Sequence, residues 1–310
     1  MMSARFLTVV LERAFNMRDG FGREIDYMRI SVIDSCNLNC YYCNPCDNNE
    51  HCHALNILSV KEVLCIVRAA TRLGIKHFRL TGGEPLLHPQ LDEMVLQIKK
   101  IPGVSSVSLT TNAVLLAQHA KWLKEAGIDS INVSLDTIDA SEYERITKKP
   151  LLEEVKHGIN AAIECGIRVK INVVLTPQTD VVALTRYVAK KGTDIRFIEM
   201  MPVGEGHTNG VEPYKKVIGT LSKLYGEPCR INTEKTKEIN SGNDKRKIPD
   251  NGPAEYYIFP ELGIRVGLIQ AIHGKFCDTC NRIRVTADGR LMPCLGSSVT
   301  MDLVPDSCEF

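Results

Sequence analysis

Residues 28–43 read MRISVIDSCNLNCYYC, in which a β-branched run leads into three closely spaced cysteines. Residues 28–33 have the composition of a buried strand. Directly after them, Cys36, Cys40 and Cys43 follow in a C-x3-C-x2-C spacing. The loops that follow the strands of parallel α/β barrels build their active sites, so this loop is a candidate site. Three thiols in one short loop predict that it binds a metal.

Alternating helical and strand patterns continue along the chain. Residues 60–73 have apolar side chains at three- and four-residue steps, with Ser59 as a candidate N-cap and Gly74 as the end of the helix. The same order of helix, glycine and strand is predicted at residues 122–126, 155–165 and 184–191. Six strands are predicted, at residues 28–33, 77–80, 106–110, 130–134, 168–174 and 195–199.

Strands that alternate with helices predict an α/β fold with a parallel sheet. Six such units predict an incomplete (βα)6 barrel of the TIM type. We assign residues 1–212 to this barrel, with an N-terminal extension over about residues 1–19, and residues 213–310 to a C-terminal domain that closes the barrel mouth.

The composition is that of an ordinary globular protein. The 310 residues are 44% hydrophobic and 24% charged, and 38 Lys and Arg nearly balance 37 Asp and Glu. This balance argues against a disordered or collagen-like chain and against a surface built for nucleic acid. Apolar stretches stay well below the ~20 residues of a membrane-spanning helix. Twelve cysteines without a signal peptide favour metal ligation over disulfides, so we expect a cytoplasmic protein with no membrane or nucleic-acid partner.

A second cysteine group lies near the C-terminus. Cys277, Cys280 and Cys294 form a C-x2-C-x13-C array that encloses a strand-like segment with Arg282 and Arg284. Alternation along a strand puts both guanidinium groups on one face, where they suit a polyanionic or carbonyl-rich ligand. Each array has only three well-placed thiols, and in the first this suits an iron-sulfur cluster with one open iron position.

A structural zinc ion is the alternative for both arrays, because such a zinc takes four protein ligands. The fourth ligand would be Cys46 or Cys52 in the first array, and Cys308 or His273 in the second. We favour free thiols at Cys46, Cys52 and Cys308.

The predicted second strand ends in Gly82, Gly83 and Glu84. Paired glycines let a main chain approach a ligand closely, and Glu84 offers a carboxylate to a cation. The alternative is a tight turn from strand to helix with Pro85 at the first helical position.

The first cysteine loop resembles the motif of radical S-adenosylmethionine (SAM) enzymes, C-x3-C-x-aromatic-C, with Tyr42 at the aromatic position. In that family the three cysteines hold a 4Fe-4S cluster that binds SAM, and SAM cleavage gives a 5'-deoxyadenosyl radical. The resemblance implies that Cys36, Cys40 and Cys43 are metal ligands. The cofactor-binding residues that it implies are Tyr42, Gly83, Glu84, Thr110, Ser134 and Met201.

Residues 21–31, 195–199 and 276–289 further resemble the GTP 3',8-cyclase family of molybdenum cofactor biosynthesis. This resemblance implies a second 4Fe-4S cluster on Cys277, Cys280 and Cys294, which binds the guanine of GTP. The radical then removes the ribose 3' hydrogen, and GTP becomes (8S)-3',8-cyclo-7,8-dihydroguanosine 5'-triphosphate. The implied catalytic residues are Arg29, Arg282 and Arg284, and the implied substrate-binding residues are these three together with Arg79, Lys170 and Arg196.

The resemblance also implies an electron donor of the flavodoxin or ferredoxin type and allows a homodimer. Two departures stand against it: the sequence lacks the Gly-Gly tail of family members, and His77 replaces a lysine of the family. They leave two alternatives, a radical SAM paralogue with two 4Fe-4S clusters that acts on a peptide or other small molecule, and a non-catalytic zinc-binding module.

Overall fold

Six parallel strands form the centre of one sheet. The computed structural model describes residues 17–43, 56–202, 210–231, 252–297 and 299–303, so the N-terminal extension up to residue 16 and Cys46, Cys52 and Cys308 lie outside the description. The strands are β1 (Tyr27–Ser31), β2 (His77–Thr81), β3 (Ser106–Thr111), β4 (Ser130–Ser134), β5 (Val169–Val174) and β6 (Asp194–Ile198). Each lies beside the next in chain order and begins within one residue of its predicted start. The six predicted strands are confirmed.

Helices follow the strands, as the periodicity predicts. They are α1 (Val60–Arg72), α2 (Leu91–Lys99), α3 (Leu116–Glu125), α4 (Ala140–Thr147), α5 (Leu152–Glu164), α6 (Val181–Lys190) and α7 (Gly219–Tyr225), with a π-helical turn at Tyr214–Ile218. Ser59 caps α1, because its hydroxyl accepts from the main-chain N of Glu62 while the Glu62 carboxylate accepts from the Ser59 main chain. The four glycines predicted to end helices, at positions 74, 127, 166 and 192, all have φ between 63° and 91°.

The strands of the C-terminal part extend both edges of this sheet. They are β7 (Cys229–Ile231), β8 (Glu255–Ile258), β9 (Arg265–Ile269), β10 (Arg282–Val285), β11 (Arg290–Met292) and β12 (Met301–Asp302). β10 pairs parallel to β1, and β9 pairs parallel to β6. The strand order is β12-β11-β10-β1-β2-β3-β4-β5-β6-β9-β8-β7. The predicted C-terminal segment thus continues the sheet on both sides, and the boundary at residue 212 stays a prediction.

The two faces of the sheet differ in character. Alternate strand residues such as Ile30, Phe78 and Phe197 are fully buried in one apolar core with the helices. The positions between them form the other face, and cross-strand pairing brings polar side chains into rows there. Among the described residues, every helix is too short or too polar to cross a bilayer. The polar face of the sheet is where the candidate site lies.

Candidate active site

The first cysteine loop is fixed to the end of α4. The main-chain N of Asn39 donates to the Thr147 carbonyl at 3.0 Å, and the N of Tyr41 donates to the Ile146 carbonyl at 3.1 Å. Leu38 is 7% exposed and anchors the loop between its first two cysteines. The loop therefore has a defined conformation at the carboxyl end of β1, as the sequence predicts.

The three thiols of this loop lie close to one another. Burial, with smaller contributions from the charges of Asp136, Cys43 and Cys36, raises the pKa of the Cys40 thiol to about 12. Burial also raises the pKa of Cys36, where Cys43 again contributes. Thiolates grouped in this way need cations for compensation, so the donor set fits a metal cluster. Within the described residues no three His, Cys, Asp or Glu side chains converge on a single metal ion, whereas the thiolates of a 4Fe-4S cluster each bind a different iron.

Gly82 and Gly83 lie against the protein's own main chain. A Cβ on Gly82 would stand 2.4 Å from the Ile33 carbonyl oxygen, and one on Gly83 would stand 2.2 Å from that of Ser35. The main-chain N of Glu84 donates to the same Ser35 oxygen at 2.7 Å. These glycines let the turn after β2 pack on the start of the cysteine loop. The paired glycines were expected to allow a close approach to a ligand, and the close approach in the structure is to the protein's own main chain.

Glu84 is buried within a set of donors from the protein. Its carboxylate accepts from the Thr111 hydroxyl at 2.6 Å, from the Asn112 N at 2.7 Å and from the Leu86 N at 3.1 Å. Burial outweighs these hydrogen bonds and raises the pKa of Glu84 to about 7. Glu84 thus joins the ends of β2 and β3, and its contact with SAM stays a prediction.

Replacement of Glu84 by glutamine is expected to change how stability depends on pH. The folded-state pKa of about 7 exceeds the ordinary 4.5, so the wild-type chain loses free energy of unfolding as the pH rises through this window. The loss is at most about 1.4 kcal/mol per pH unit. Urea unfolding of the metal-free, reduced chains should show the advantage of wild type over Glu84→Gln shrinking from pH 5 to 8. The exposed Glu125→Gln is the matched control, and an advantage that is constant with pH would contradict the expectation.

Asp136, just beyond β4, is a strand-end residue to which the sequence assigned no role. Its Oδ2 accepts from the Tyr42 hydroxyl at 2.5 Å, and its Oδ1 accepts from the Val174 N at 2.7 Å. Burial raises the pKa of Asp136 to about 6. The aromatic residue of the cysteine motif is thereby tied to the ends of β4 and β5. The only signal in the sequence was the position of Asp136 two residues after Ser134.

The second cysteine group is assembled by antiparallel pairing. Cys280 lies two residues before the start of β10 and Cys294 two residues after the end of β11, and the register Arg284↔Met292 places position 294 opposite position 282. Cys277 is linked to Cys280, whose main-chain N donates to the Cys277 carbonyl at 3.2 Å. The three predicted ligands therefore lie in the segments at one end of this strand pair, near Arg282, and their binding of a metal stays a prediction.

Three predicted arginines form a row across the sheet. Parallel register pairs Arg29 with Arg284 on one side and with Arg79 on the other. Burial lowers the pKa of Arg29, and the neighbouring charges of Arg284 and Arg79 lower it further. Its Nε is buried without a hydrogen-bond partner among the described residues. A buried guanidinium flanked by two others, which we call the arginine row, is built to receive an anion.

A second cationic group lies on β5 and β6. Arg196 Nε donates to Asn172 Oδ1 at 2.9 Å, and Lys170 Nζ lies 5.8 Å from the centre of the Tyr256 ring. Both cations are nearly buried, at 5% exposure each. Gly267 of β9 makes room for the Arg196 side chain and the Tyr256 ring, because a Cβ there would stand 2.8 Å from Arg196 Cγ and 2.9 Å from Tyr256 Cε1.

A cavity of about 530 Å³ opens beside the second cysteine group. Its lining includes Cys280, Arg282, Phe276 and Lys275, together with Arg230 of β7. The cavity is large enough for a small organic molecule, and its lining holds three cations and one carboxylate, Glu255, which pairs with Arg230 at 2.8 Å. Arg282 connects it to the polar face of the sheet, since its guanidinium lies 5.6 Å from the ring centre of Tyr27.

Comparison with known proteins identifies the family. Residues 30–184 match the Radical SAM superfamily, and residues 193–306 match Molybdenum Cofactor Synthesis C. The GTP 3',8-cyclase of Clostridium perfringens (strain SM101) is 37% identical over 282 residues, which are 90% of this chain and 83% of the relative. That of Pelotomaculum thermopropionicum is 38% identical over 294 residues, with coverage of 93% and 86%. The chain belongs to the GTP 3',8-cyclase family. The resemblance seen in the sequence is confirmed.

Solved structures share the fold of this GTP 3',8-cyclase family member. Streptococcus suis SuiB bound to its precursor peptide SuiA has a TM-score of 0.63 at 14% identity and covers 96% of this chain and 66% of its own. Native anSMEcpe with bound AdoMet has a TM-score of 0.60 at 18% identity, with coverage of 88% and 75%. The incomplete barrel of the radical SAM type is confirmed. A 4Fe-4S cluster and SAM follow from the superfamily, so the alternative of a non-catalytic zinc-binding module is not supported.

The predicted SAM contacts of this GTP 3',8-cyclase family member lie at the carboxyl ends of four strands and in the cysteine loop. Thr110, Ser134 and Met201 end or follow β3, β4 and β6, and each is at least partly exposed. Tyr42 stands on the loop between Cys40 and Cys43. Their contact with SAM stays a prediction, as do the roles of the arginines.

Proposed function

We propose that this chain converts GTP to (8S)-3',8-cyclo-7,8-dihydroguanosine 5'-triphosphate, an early step of molybdenum cofactor biosynthesis. One observation carries the proposal: the arginine row lies between the two cysteine groups. A triphosphate carries several negative charges, and guanidinium groups in a partly buried site bind such groups with bidentate hydrogen bonds. The Nε of Arg29, which has no hydrogen-bond partner in the part of the chain that the structure describes, supplies a donor for this purpose. The names of the relatives support GTP as the substrate.

Two 4Fe-4S clusters are part of the proposal. Cys36, Cys40 and Cys43 would hold the first, together with SAM, and Cys277, Cys280 and Cys294 would hold the second. When bound, the first cluster and SAM supply the 5'-deoxyadenosyl radical that removes the ribose 3' hydrogen. A low-potential donor of the flavodoxin or ferredoxin type would supply the electron. The second thiol group lines the large cavity through Cys280, which supports its role as the site of the guanine.

The chain's own residues would bind and orient the nucleotide. Arg79, Lys170 and Arg196 would neutralise the phosphates, because Lys170 and Arg196 on the neighbouring strands β5 and β6 share one face of the sheet with Arg79 on β2. Arg29, Arg282 and Arg284 would hold the substrate next to the second cysteine group. Arg79 is itself oriented, since it donates to the Tyr27 hydroxyl, whose ring also lies under Arg282. Charge held in place before binding needs little reorganisation, and this stabilises a bound anion.

An isotope experiment tests the proposal. The anaerobically reconstituted chain is incubated with SAM, dithionite and GTP that carries deuterium at ribose C3'. We expect GTP-dependent formation of 5'-deoxyadenosine that contains one deuterium, together with the cyclised nucleotide. GTP deuterated at C2' is the control and should transfer none. Formation of 5'-deoxyadenosine that ignores GTP would overturn the proposal and favour a paralogue with another substrate.

Substitution of Gly267 by alanine is expected to weaken GTP binding. The added methyl group would press on the side chains of Arg196 and Tyr256, so the guanidinium must leave its position. Loss of one charge-assisted contact predicts an increase in KM for GTP of about tenfold with a smaller change in kcat. Gly219→Ala is the matched control, because no atom lies within 4 Å of its added Cβ. Equal KM values for the two variants would contradict a phosphate-binding role for Arg196.

A further inference from the structure

A tight turn before β1 carries an arginine, Arg23, that lies outside the arginine row. Asp19 Oδ1 accepts from the main-chain N of Phe21 at 2.9 Å and of Arg23 at 3.0 Å, and Arg23 Nε donates to Asp19 Oδ2 at 2.6 Å. Gly22 takes a φ of +78° within the turn, a conformation that favours glycine. The side chains of Asp19 and Arg23 are only 22% and 25% exposed. The turn therefore fixes the direction of the Arg23 side chain.

The Arg23 guanidinium contacts the second cysteine group. Arg23 Nη1 donates to the Cys277 carbonyl at 2.7 Å, while its other nitrogens bind Asp19. The guanidinium thus joins the turn before β1 to the main chain of Cys277.

A second contact holds the other end of the same loop. Glu199 directly follows β6, is 3% exposed, and accepts from the main-chain N of Ile272 at 2.7 Å and of His273 at 3.1 Å. His273 Nδ1 bonds to the other carboxylate oxygen. With both oxygens used by the loop, Glu199 fixes residues 272–273 to the end of the central sheet. It also uses one of the two ring nitrogens through which His273 could have served as a zinc ligand.

We infer that Arg23 and Glu199 are positioning residues that hold residues 270–281, the C-terminal cysteine loop, in place beside the arginine row. The inference rests on the proposed function, because it treats this loop as part of the cluster site that binds GTP. Arg23 lies before β1 and Glu199 lies after β6, so the two anchors reach the loop from the two outer strands of the six central parallel strands. Most of the loop between them is exposed, including Cys277, so packing alone does not fix it.

Arg23 has a second consequence for a cluster on these cysteines. A fixed positive charge and a hydrogen bond near the ligating thiolates stabilise the reduced cluster, which carries one more negative charge. Loss of the guanidinium should therefore lower the reduction potential of the C-terminal cluster. Glu199 contacts the loop four residues before Cys277 and should act through position alone.

The test uses the full chain with Cys36, Cys40 and Cys43 replaced by alanine, so that only the C-terminal cluster gives an electron paramagnetic resonance spectrum. Four single substitutions are made in this triple-alanine chain: Arg23→Gln, Arg23→Lys, Glu199→Gln and, as the control, Arg18→Gln. The Arg18 side chain is 68% exposed. We expect Arg23→Gln to lower the reduction potential and to raise the Kd for GTP about tenfold. Arg23→Lys should restore the potential but not the affinity, because lysine cannot bind Asp19 and Cys277 together. Glu199→Gln should raise the Kd and leave the potential nearly unchanged.

Hydrogen exchange provides a readout that does not need the cluster. In the metal-free chain, Glu199→Gln should speed exchange at residues 272–273, and Arg23→Gln should speed it at residues 277–281, relative to Arg18→Gln. Unchanged exchange, potential and GTP affinity in both variants would overturn the inference. A wild-type chain that binds about four irons instead of about eight would contradict the second cluster of the proposed function. The exchange data would still show whether Arg23 and Glu199 hold the C-terminal cysteine loop in place.

Discussion

A Cys36→Ala chain is expected to lose SAM cleavage completely and to retain about four of about eight irons after anaerobic reconstitution. The loop carries three thiols near one another. The two thiols that remain cannot hold the cluster, because each thiolate binds its own iron. Iron and sulfide analysis and the yield of 5'-deoxyadenosine measure the two effects.

Cys229→Ala is the matched control for this substitution. Cys229 is exposed at the start of β7, outside both cysteine groups, so its replacement should change neither iron content nor turnover. A Cys36→Ala chain that still made 5'-deoxyadenosine at the wild-type rate would contradict the assignment of the first cysteine group.

Replacement of Arg29 by glutamine is expected to lower kcat/KM for GTP by about 100-fold or more, since it removes the central donor of the arginine row. The same change should stabilise the protein without ligand. Arg29 stands between Arg284 and Arg79 in the sheet, and burial together with these like charges makes its charged form unfavourable. The melting temperature of the metal-free chain should therefore rise while activity falls.

Opposite changes in activity and stability separate a binding role from a folding defect. Arg72→Gln is the control, because Arg72 lies exposed in the last turn of α1 and should change neither quantity. If Arg29→Gln lowers the melting temperature instead, Arg29 stabilises the fold through a partner, and the arginine row is not a preformed anion site.

Local patterns predicted much of the fold. The six central strands, the helix ends at glycines 74, 127, 166 and 192, and the N-cap Ser59 all depend on residues near in sequence. The shared face of Arg282 and Arg284 was also predicted, because alternation along a strand is a local property, and both pair with alternate residues of β1. Periodicity and caps are therefore sufficient for this part of the architecture.

Pairing between distant segments was not predicted. Nothing in residues 282–285 indicates that they lie beside β1, and nothing in residues 265–269 indicates that they lie beside β6. The same limit explains why two strand-end residues were left without a role. Asp136 matters because Tyr42 reaches it, and Glu199 matters because residues 272–273 reach it. Such roles depend on tertiary contacts, which a single sequence does not show.

The pairing of β10 with β1 and of β9 with β6 bears on how the chain is made. During synthesis β1 emerges early, yet its partner on one edge is among the last strands to appear. Until then both edges of the central sheet expose unpaired main-chain groups, which are templates for association with other chains. The nascent chain therefore passes through an aggregation-sensitive stage that ends only when the C-terminal strands arrive. Slow translation or early truncation near residue 260 would prolong that stage.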